Sequence, residues 1–171
     1  MTEENTLRGN TAFIDGQNLY VGTKQAGWRV DYKKLRIYLR EKYKVTIAYY
    51  FLGYQDNNNS TLYISLQKAG YILVFREHSE GILSKKKGNV DSDIIFMILK
   101  RLIINPEPEI VHIISGDGDY IKLVQFLIER GLFGKMLFPN KRFTSSLYKR
   151  LQTKYFSYLD ADNTRVKIEE K

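Results

Sequence analysis

The stretch Ile113-Ile114-Ser115-Gly116-Asp117-Gly118-Asp119-Tyr120 decides how this chain is read. The apolar run from Ile110 to Ile114 has the length of a buried strand. It passes directly into a turn with two carboxylates, and an amphipathic helix is expected from Asp119 to Arg130. A second turn of the same kind lies far upstream, where Thr11-Ala12-Phe13-Ile14 runs into Asp15-Gly16-Gln17-Asn18. In an open α/β sheet, ligands sit at the carboxyl edge of the strands. Two short apolar strands that each end in Asp are what a shared metal site needs.

On either side of these turns the chain alternates strand and helix patterns. Strands are expected at 11–14, 45–52, 71–75, 110–114, 132–138 and 155–159. Helices are expected at 18–25, from the Asp31 cap to about Lys42, at 61–69, at 90–104, at 119–130 and at 143–154. Asn105-Pro106 stops the fourth helix and Gly131 closes the fifth. This order predicts an α/β protein, a three-layer α/β/α sandwich around a doubly wound, mainly parallel sheet. Right-handed crossovers would put the first and fourth strands side by side at a topological switch point. Residues 1–10 read as a flexible start, 11–159 as one domain, and 160–171 as a charged, flexible tail.

At 171 residues, 43% apolar and 13% aromatic, the chain is long enough for a substantial core. It has no cysteine and two histidines, which argues against disulfides, thiolate metal sites and a histidine-rich zinc site. No apolar run approaches the length of a membrane span, so a soluble, cytoplasmic protein without a membrane partner is expected. With 27 Lys and Arg against 19 Asp and Glu, the formal net charge is +8, which favours a polyanionic partner, nucleic acid first.

Four acids stand out: Asp15, Asp91, Asp117 and Asp119. Three follow strands at one edge of the inferred sheet, and Asp91 opens the helix before the fourth strand. Four carboxylates brought together without a cation repel one another and lose hydration. Mg²⁺ or Mn²⁺ relieves that cost, prefers oxygen ligands and supports hydrolysis of a phosphodiester. Taken singly, each Asp fits a helix cap equally well, and Asn18 suits a cap at the start of its helix. The repeated strand, Asp-Gly turn and helix favours the metal reading. Asp93, two residues from Asp91, would point roughly 200° away on a regular helix, so it reads as a solvated or supporting acid. Asn18 is placed to orient a water, a phosphate or a carboxylate. Ser115 reads as a local cap and His112 as structural.

Phosphate-binding loops of the P-loop and dinucleotide kinds are absent, as is a nucleophile elbow. Gly116-Asp117-Gly118-Asp119 is similar to the metal motif of haloacid-dehalogenase-like phosphatases. Those enzymes need a second Asp two residues after the first, and here Gln17 stands there.

Phe13-Ile14-Asp15-Gly16-Gln17-Asn18-Leu19, Lys87-Gly88-Asn89-Val90-Asp91 and Ser115-Gly116-Asp117-Gly118-Asp119-Tyr120 together resemble the NYN domains of the PIN-like nuclease superfamily, which include the LabA-like proteins. The three motifs come in the family's order over roughly 11–159. The resemblance implies a PIN-like fold and Mg²⁺- or Mn²⁺-dependent ribonuclease activity. By position it makes Asp15, Asp91, Asp117 and Asp119 the acidic metal-site residues, supported by Asn18. The chain departs from the family at Gly118, where Ser is frequent, and at Met97, near which many members carry another acid.

RNA as the partner rests on that resemblance. Lys85, Lys86 and Lys87 precede Asp91 closely and are the favoured backbone contacts. Arg142 and Lys149 belong to a further basic cluster between the fifth strand and the tail, and 24–44 is a third. Exposed apolar residues on the last elements would allow a homodimer. The expected function is a metal-dependent endoribonuclease. Its rivals are a non-catalytic nucleic-acid-binding or scaffold module on the same fold and, further off, a metal-dependent phosphatase.

Overall fold

The computed structural model describes residues 9–77, 90–105, 107 and 109–171. Its elements follow the order β1 (Asn10–Asp15), α1 (Gly16–Gln25), α2 (Tyr32–Tyr43), β2 (Val45–Leu52), α3 (Ser60–Ala69), β3 (Ile72–Phe75), α4 (Asp91–Ile104), β4 (Ile110–Ile114), α5 (Ile121–Glu129), β5 (Phe133–Phe138), β6 (Phe156–Tyr158) and α6 (Asp162–Ile168). The six strands form one sheet in the order β3-β2-β1-β4-β5-β6, and every pairing is parallel. β1 and β4 are neighbours, with Ile14 opposite Ile114, so the two Asp turns leave the sheet side by side.

Strand alternation divides the core in two. Ala12, Ile14, Tyr50 and Ile114 pack with Leu19, Leu35, Leu39, Leu66 and Ile168 from α1, α2, α3 and α6. Phe13, Phe51, Ile113 and Met136 face the other way, against Ile94 and Ile98 of α4 and Val124 and Leu127 of α5. This is the expected α/β/α sandwich. The period of two has a consequence for Asp15: it shares the face of Phe13, the α4 side of the sheet.

Several helix starts follow ordinary capping. The Asp31 carboxylate accepts from the Lys34 N–H at 3.0 Å, as expected of an N-cap. The first helix begins earlier than the sequence suggested because Asp15, not Asn18, is its cap. The fifth begins later: Gly118–Tyr120 form a 3₁₀ turn before α5. Gly131, at φ +68°, closes α5 as expected.

Two expectations fail. Residues 143–154 do not form a helix; Lys141–Phe143, Ser146–Arg150 and Thr153–Tyr155 are separate 3₁₀ turns. Side chains there take over the backbone's bonding: Thr144 Oγ1 donates to the Asn140 carbonyl at 2.9 Å, and Ser145 Oγ accepts from the Leu147 N–H at 3.3 Å. Residues 160–171 are not a flexible tail either. α6 buries Thr164 and Ile168 against α2, and the Asp31 N–H donates to the Ile168 carbonyl at 2.8 Å. The apolar signal was two residues among charges, too sparse to stand out as a period.

α4 carries several large exposed apolar side chains, Phe96 at 67% and Ile103 at 84% among them, and α5 exposes Phe126 at 42%. The last elements expose Phe143, Leu147 and Val166 as well. Among the described residues no helix is long and apolar enough to cross a membrane.

Candidate metal centre

β1 ends at Asp15, and its Oδ1 accepts from the Asn18 N–H at 3.0 Å. Gly16 must follow, because a Cβ there would stand 2.4 Å from the Tyr50 ring and 2.6 Å from the Phe51 carbonyl. β4 ends one strand away. Asp117 caps the next turn, its Oδ1 accepting from the Asp119 N–H at 3.0 Å while its own N–H donates to Ser115 Oγ at 3.1 Å. The two turns are tied together by Asn18, whose Oδ1 accepts from the Gly116 N–H at 2.7 Å. Asn18 therefore acts here as a brace between β1 and β4, with its side-chain carbonyl already engaged.

α4 delivers the third acid. Asp91 opens the helix, is 4% exposed, and accepts at Oδ1 from the Tyr120 hydroxyl at 2.6 Å. The same hydroxyl lies 3.4 Å from Asp15 Oδ2. Tyr120 is wholly buried, and the phenol joins the acids of β1 and α4. A second phenol, Tyr148, donates to the Asp117 carbonyl, and the Ser145 N–H donates to the Gly116 carbonyl at 3.0 Å. The irregular segment after β5 thus clamps the acidic turn from outside. Gly118 leaves room for it: a Cβ there would be 2.5 Å from Ser145 Oγ.

Asp91, Asp117 and Asp119 each place a carboxylate oxygen within 4.8 Å of the other two. Among the described residues this is the group able to hold a metal ion. Asp15 stands outside that trio. It shares with Asp91, Asp117, Gln17 and Asn18 a cleft of about 250 Å³. Burial pushes the Asp15 carboxyl above its ordinary range and the charge of Asp117 adds to it, against the lowering by the Asn18 N–H. Burial likewise raises both phenols, and the neighbouring carboxylates raise them further. Tyr120 and Tyr148 accordingly remain protonated donors. An all-carboxylate, all-oxygen donor set in a partly open cleft fits a hard divalent cation and leaves positions for water or phosphate.

Asp93 lines a different groove, with Val74, Phe75, Phe96, Met97 and Lys100. Lys85, Lys86 and Lys87 lie outside the described residues, as does His78. Arg142 and Lys149 are exposed on the segment that clamps the acidic turn, and the Arg142 guanidinium sits 5.5 Å from the Phe143 ring. Part of the basic stretch 24–44 is structural. Arg36 donates to the carbonyls of Gly70, Val45 and Thr46, and Lys34 Nζ donates to the Glu169 carbonyl at 2.8 Å.

Tyr120 and Tyr148 were not singled out from the sequence. Tyr120 sits inside the deciding stretch, and a phenol at the head of an amphipathic helix was the available signal. Tyr148 reaches Asp117 over 31 residues, and no local pattern announces that contact. His112 is structural, as expected: it is 3% exposed beside Tyr43 and Gly134, and burial lowers its pKa to about 4.

A parallel α/β sandwich with an acidic cleft at its switch point is the class that this fold and site define. The NYN domain family model matches residues 11–160, and the chain belongs to that family. It is 25% identical over 124 residues to the "Low amplitude and bright protein LabA" of Synechococcus elongatus, a match that takes in 67% of this chain and 65% of that protein. The chain therefore spans about two thirds of the length of that curated relative, a little under. A crystal structure of a protein of unknown function from Vibrio parahaemolyticus has the same fold, with a TM-score of 0.71 and 22% identity over 91% of this chain and 94% of the other.

Proposed function

We propose that the protein is a metal-dependent endoribonuclease whose acids hold one Mg²⁺ or Mn²⁺ at the end of β4. The observation that carries this reading is the trio Asp91, Asp117 and Asp119, three carboxylate oxygens within 4.8 Å of one another at the carboxyl edge of a parallel sheet. Family membership supports a nuclease-type chemistry. When bound, the ion supplies charge stabilisation at a phosphodiester and lowers the pKa of water.

The chain's own residues divide the remaining work. Asp91, Asp117 and Asp119 would hold the cation, and Asp15 completes the acidic wall from across Tyr120. Tyr120 keeps its proton on the phenol oxygen and aims Asp91 by donating to Oδ1. Asn18 holds the two turns in register. Arg142 and Lys149 on the clamp, with Lys85, Lys86 and Lys87 before α4, would grip the RNA backbone.

The test is cleavage of a panel of single- and double-stranded RNAs with Mn²⁺, Mg²⁺ or EDTA, run beside Asp117→Asn. Metal-dependent cutting that vanishes in a folded mutant is expected. Retained RNA binding with no cutting under any metal would overturn the enzymatic reading in favour of a binding module.

A further inference from the structure

A second cavity opens beside the acidic cleft, on the other flank of α1. Its volume is about 240 Å³, smaller than the usual drug-sized pocket and suited to a single ring system. Trp28, Tyr20 and Tyr32 supply aromatic surface. Lys24 and Arg29 bring positive charge, and Glu170 brings one carboxylate acceptor. Leu19 and Val30, both buried, give it an apolar floor.

The cavity is coupled to the acids by short links. The Tyr32 ring meets the Tyr50 ring edge-on at 5.7 Å, and the Tyr50 hydroxyl reaches the Gly16 carbonyl, next to Asp15. Along α1 the acidic cleft is lined by Gln17, Asn18 and Val21, and the cavity by Tyr20 and Lys24. Asn18 and Lys24 are six residues apart, roughly 9 Å on a helix. Gln17, Tyr20, Val21 and Lys24 are all exposed and form one ridge between the two openings. Tyr20 is 53% exposed, with Lys24 Nζ 5.6 Å from its ring centre. An aromatic face beside a cation, next to a cleft that would hold a phosphate, matches how unpaired nucleotides are bound: the base stacks and the cation tracks the backbone.

We propose that this cavity is a base-binding subsite. It takes one unpaired nucleobase of a single strand whose backbone crosses the α1 ridge from the acidic cleft. The inference rests on the nucleic-acid reading above and adds a substrate class, unpaired rather than fully duplex strands. Tyr20 stacks on the base, Lys24 and Arg29 meet its flanking phosphates, and Glu170 accepts from base N–H groups.

Trp28 is the only tryptophan in the chain and it lines this cavity, so its emission reports on occupancy directly. The experiment titrates the full chain in EDTA, where metal-dependent cleavage is silent. The probes are a short single-stranded RNA, the same strand with abasic sites, the matching duplex and a free nucleoside monophosphate. Saturable quenching of Trp28 by the intact strand is expected, with weak response to the abasic strand and the duplex. Tyr20→Ala, at an exposed site and checked by its thermal melt, should weaken binding of the intact strand by about tenfold. Equal quenching by intact and abasic strands, or unchanged affinity in folded Tyr20→Ala, would overturn the subsite. Quenching by the free monophosphate as tight as by the strand would overturn its placement on a strand path. Base-dependent quenching in a protein that never cuts RNA upholds the subsite while the nuclease reading fails. Cutting without such quenching upholds the nuclease and sinks the subsite.

Discussion

Replacing Tyr120 by Phe removes one oxygen and leaves the ring. That oxygen donates to Asp91 at 2.6 Å and lies 3.4 Å from Asp15, and both acids are buried. A hydrogen bond to a charged group contributes about 1.5–3 kcal/mol, and the acceptor left behind keeps its desolvation cost. The metal-free protein should therefore lose about 2 kcal/mol, which for a domain of this size lowers Tm by about 4–8 °C. The loss should shrink when a divalent cation is present, because positive charge then compensates Asp91 from the cleft side. Binding to the folded state adds stability of its own, about 2.7 kcal/mol at a hundred times Kd. The assay is a pair of thermal melts, wild type and Tyr120→Phe, each in EDTA and in excess MnCl₂. The expected result is a large gap between the proteins in EDTA and a smaller one in Mn²⁺. Equal melting in EDTA would refute the claim that the phenol holds the acids. A gap that does not change with Mn²⁺ would refute the claim that Asp91 faces the ion.

His112 makes a pH prediction. Burial lowers its pKa from 6.5 to about 4, so the unfolded chain takes up a proton first as pH falls. Stability is fully present above the unfolded value and is lost between about pH 6.5 and pH 4, by about 3 kcal/mol in all; His112→Leu should flatten urea-derived stability across that window. Gly16→Ala drives a Cβ to 2.4 Å from the Tyr50 ring and 2.6 Å from the Phe51 carbonyl, a backbone atom that cannot step aside. It should cost about 1–3 kcal/mol by chemical denaturation, and the displaced Asp15 turn should weaken Mn²⁺ binding measured by calorimetry.

The sheet was legible because each parallel strand, buried on both faces, leaves an apolar run bounded by turn residues. Asp15, Asp117 and Asp119 were legible for a related reason: an Asp-Gly turn after such a run lies at the carboxyl edge whatever the strand order. Asp91 was tied to the others more loosely, because a residue opening the helix before the fourth strand lies at the same edge but is equally an ordinary helix start. What stayed hidden was carried by contacts distant in sequence. α6 gains its order from the Asp31 N–H and the Lys34 ammonium, more than a hundred residues upstream. The turns over 141–155 take their shape from Thr144, Ser145 and Tyr148 bonding backbone groups, which outweighs a weak helical pattern.

The distribution of these contacts bears on how the site works. Acids gathered from β1, α4 and the turn after β4 repel one another, and nothing in their own spacing keeps them close. Three of them are held by neutral donors: Asp15 by the Asn18 N–H, Asp91 by the Tyr120 hydroxyl and Asp117 by the Asp119 N–H, while Tyr148 bonds the Asp117 carbonyl. The brace from Asn18 to Gly116 joins the two strand ends independently of any carboxylate. Much of the arrangement is therefore set by neutral donors and by packing, so under the proposed reading the acids are positioned before any cation binds. That separates two kinds of substitution. Changing an acid to its amide removes charge and leaves the frame, so folding should survive while metal binding is lost. Changing Tyr120 or Asn18 keeps every charge and loosens the frame, so the repulsion among the acids acts on the fold itself.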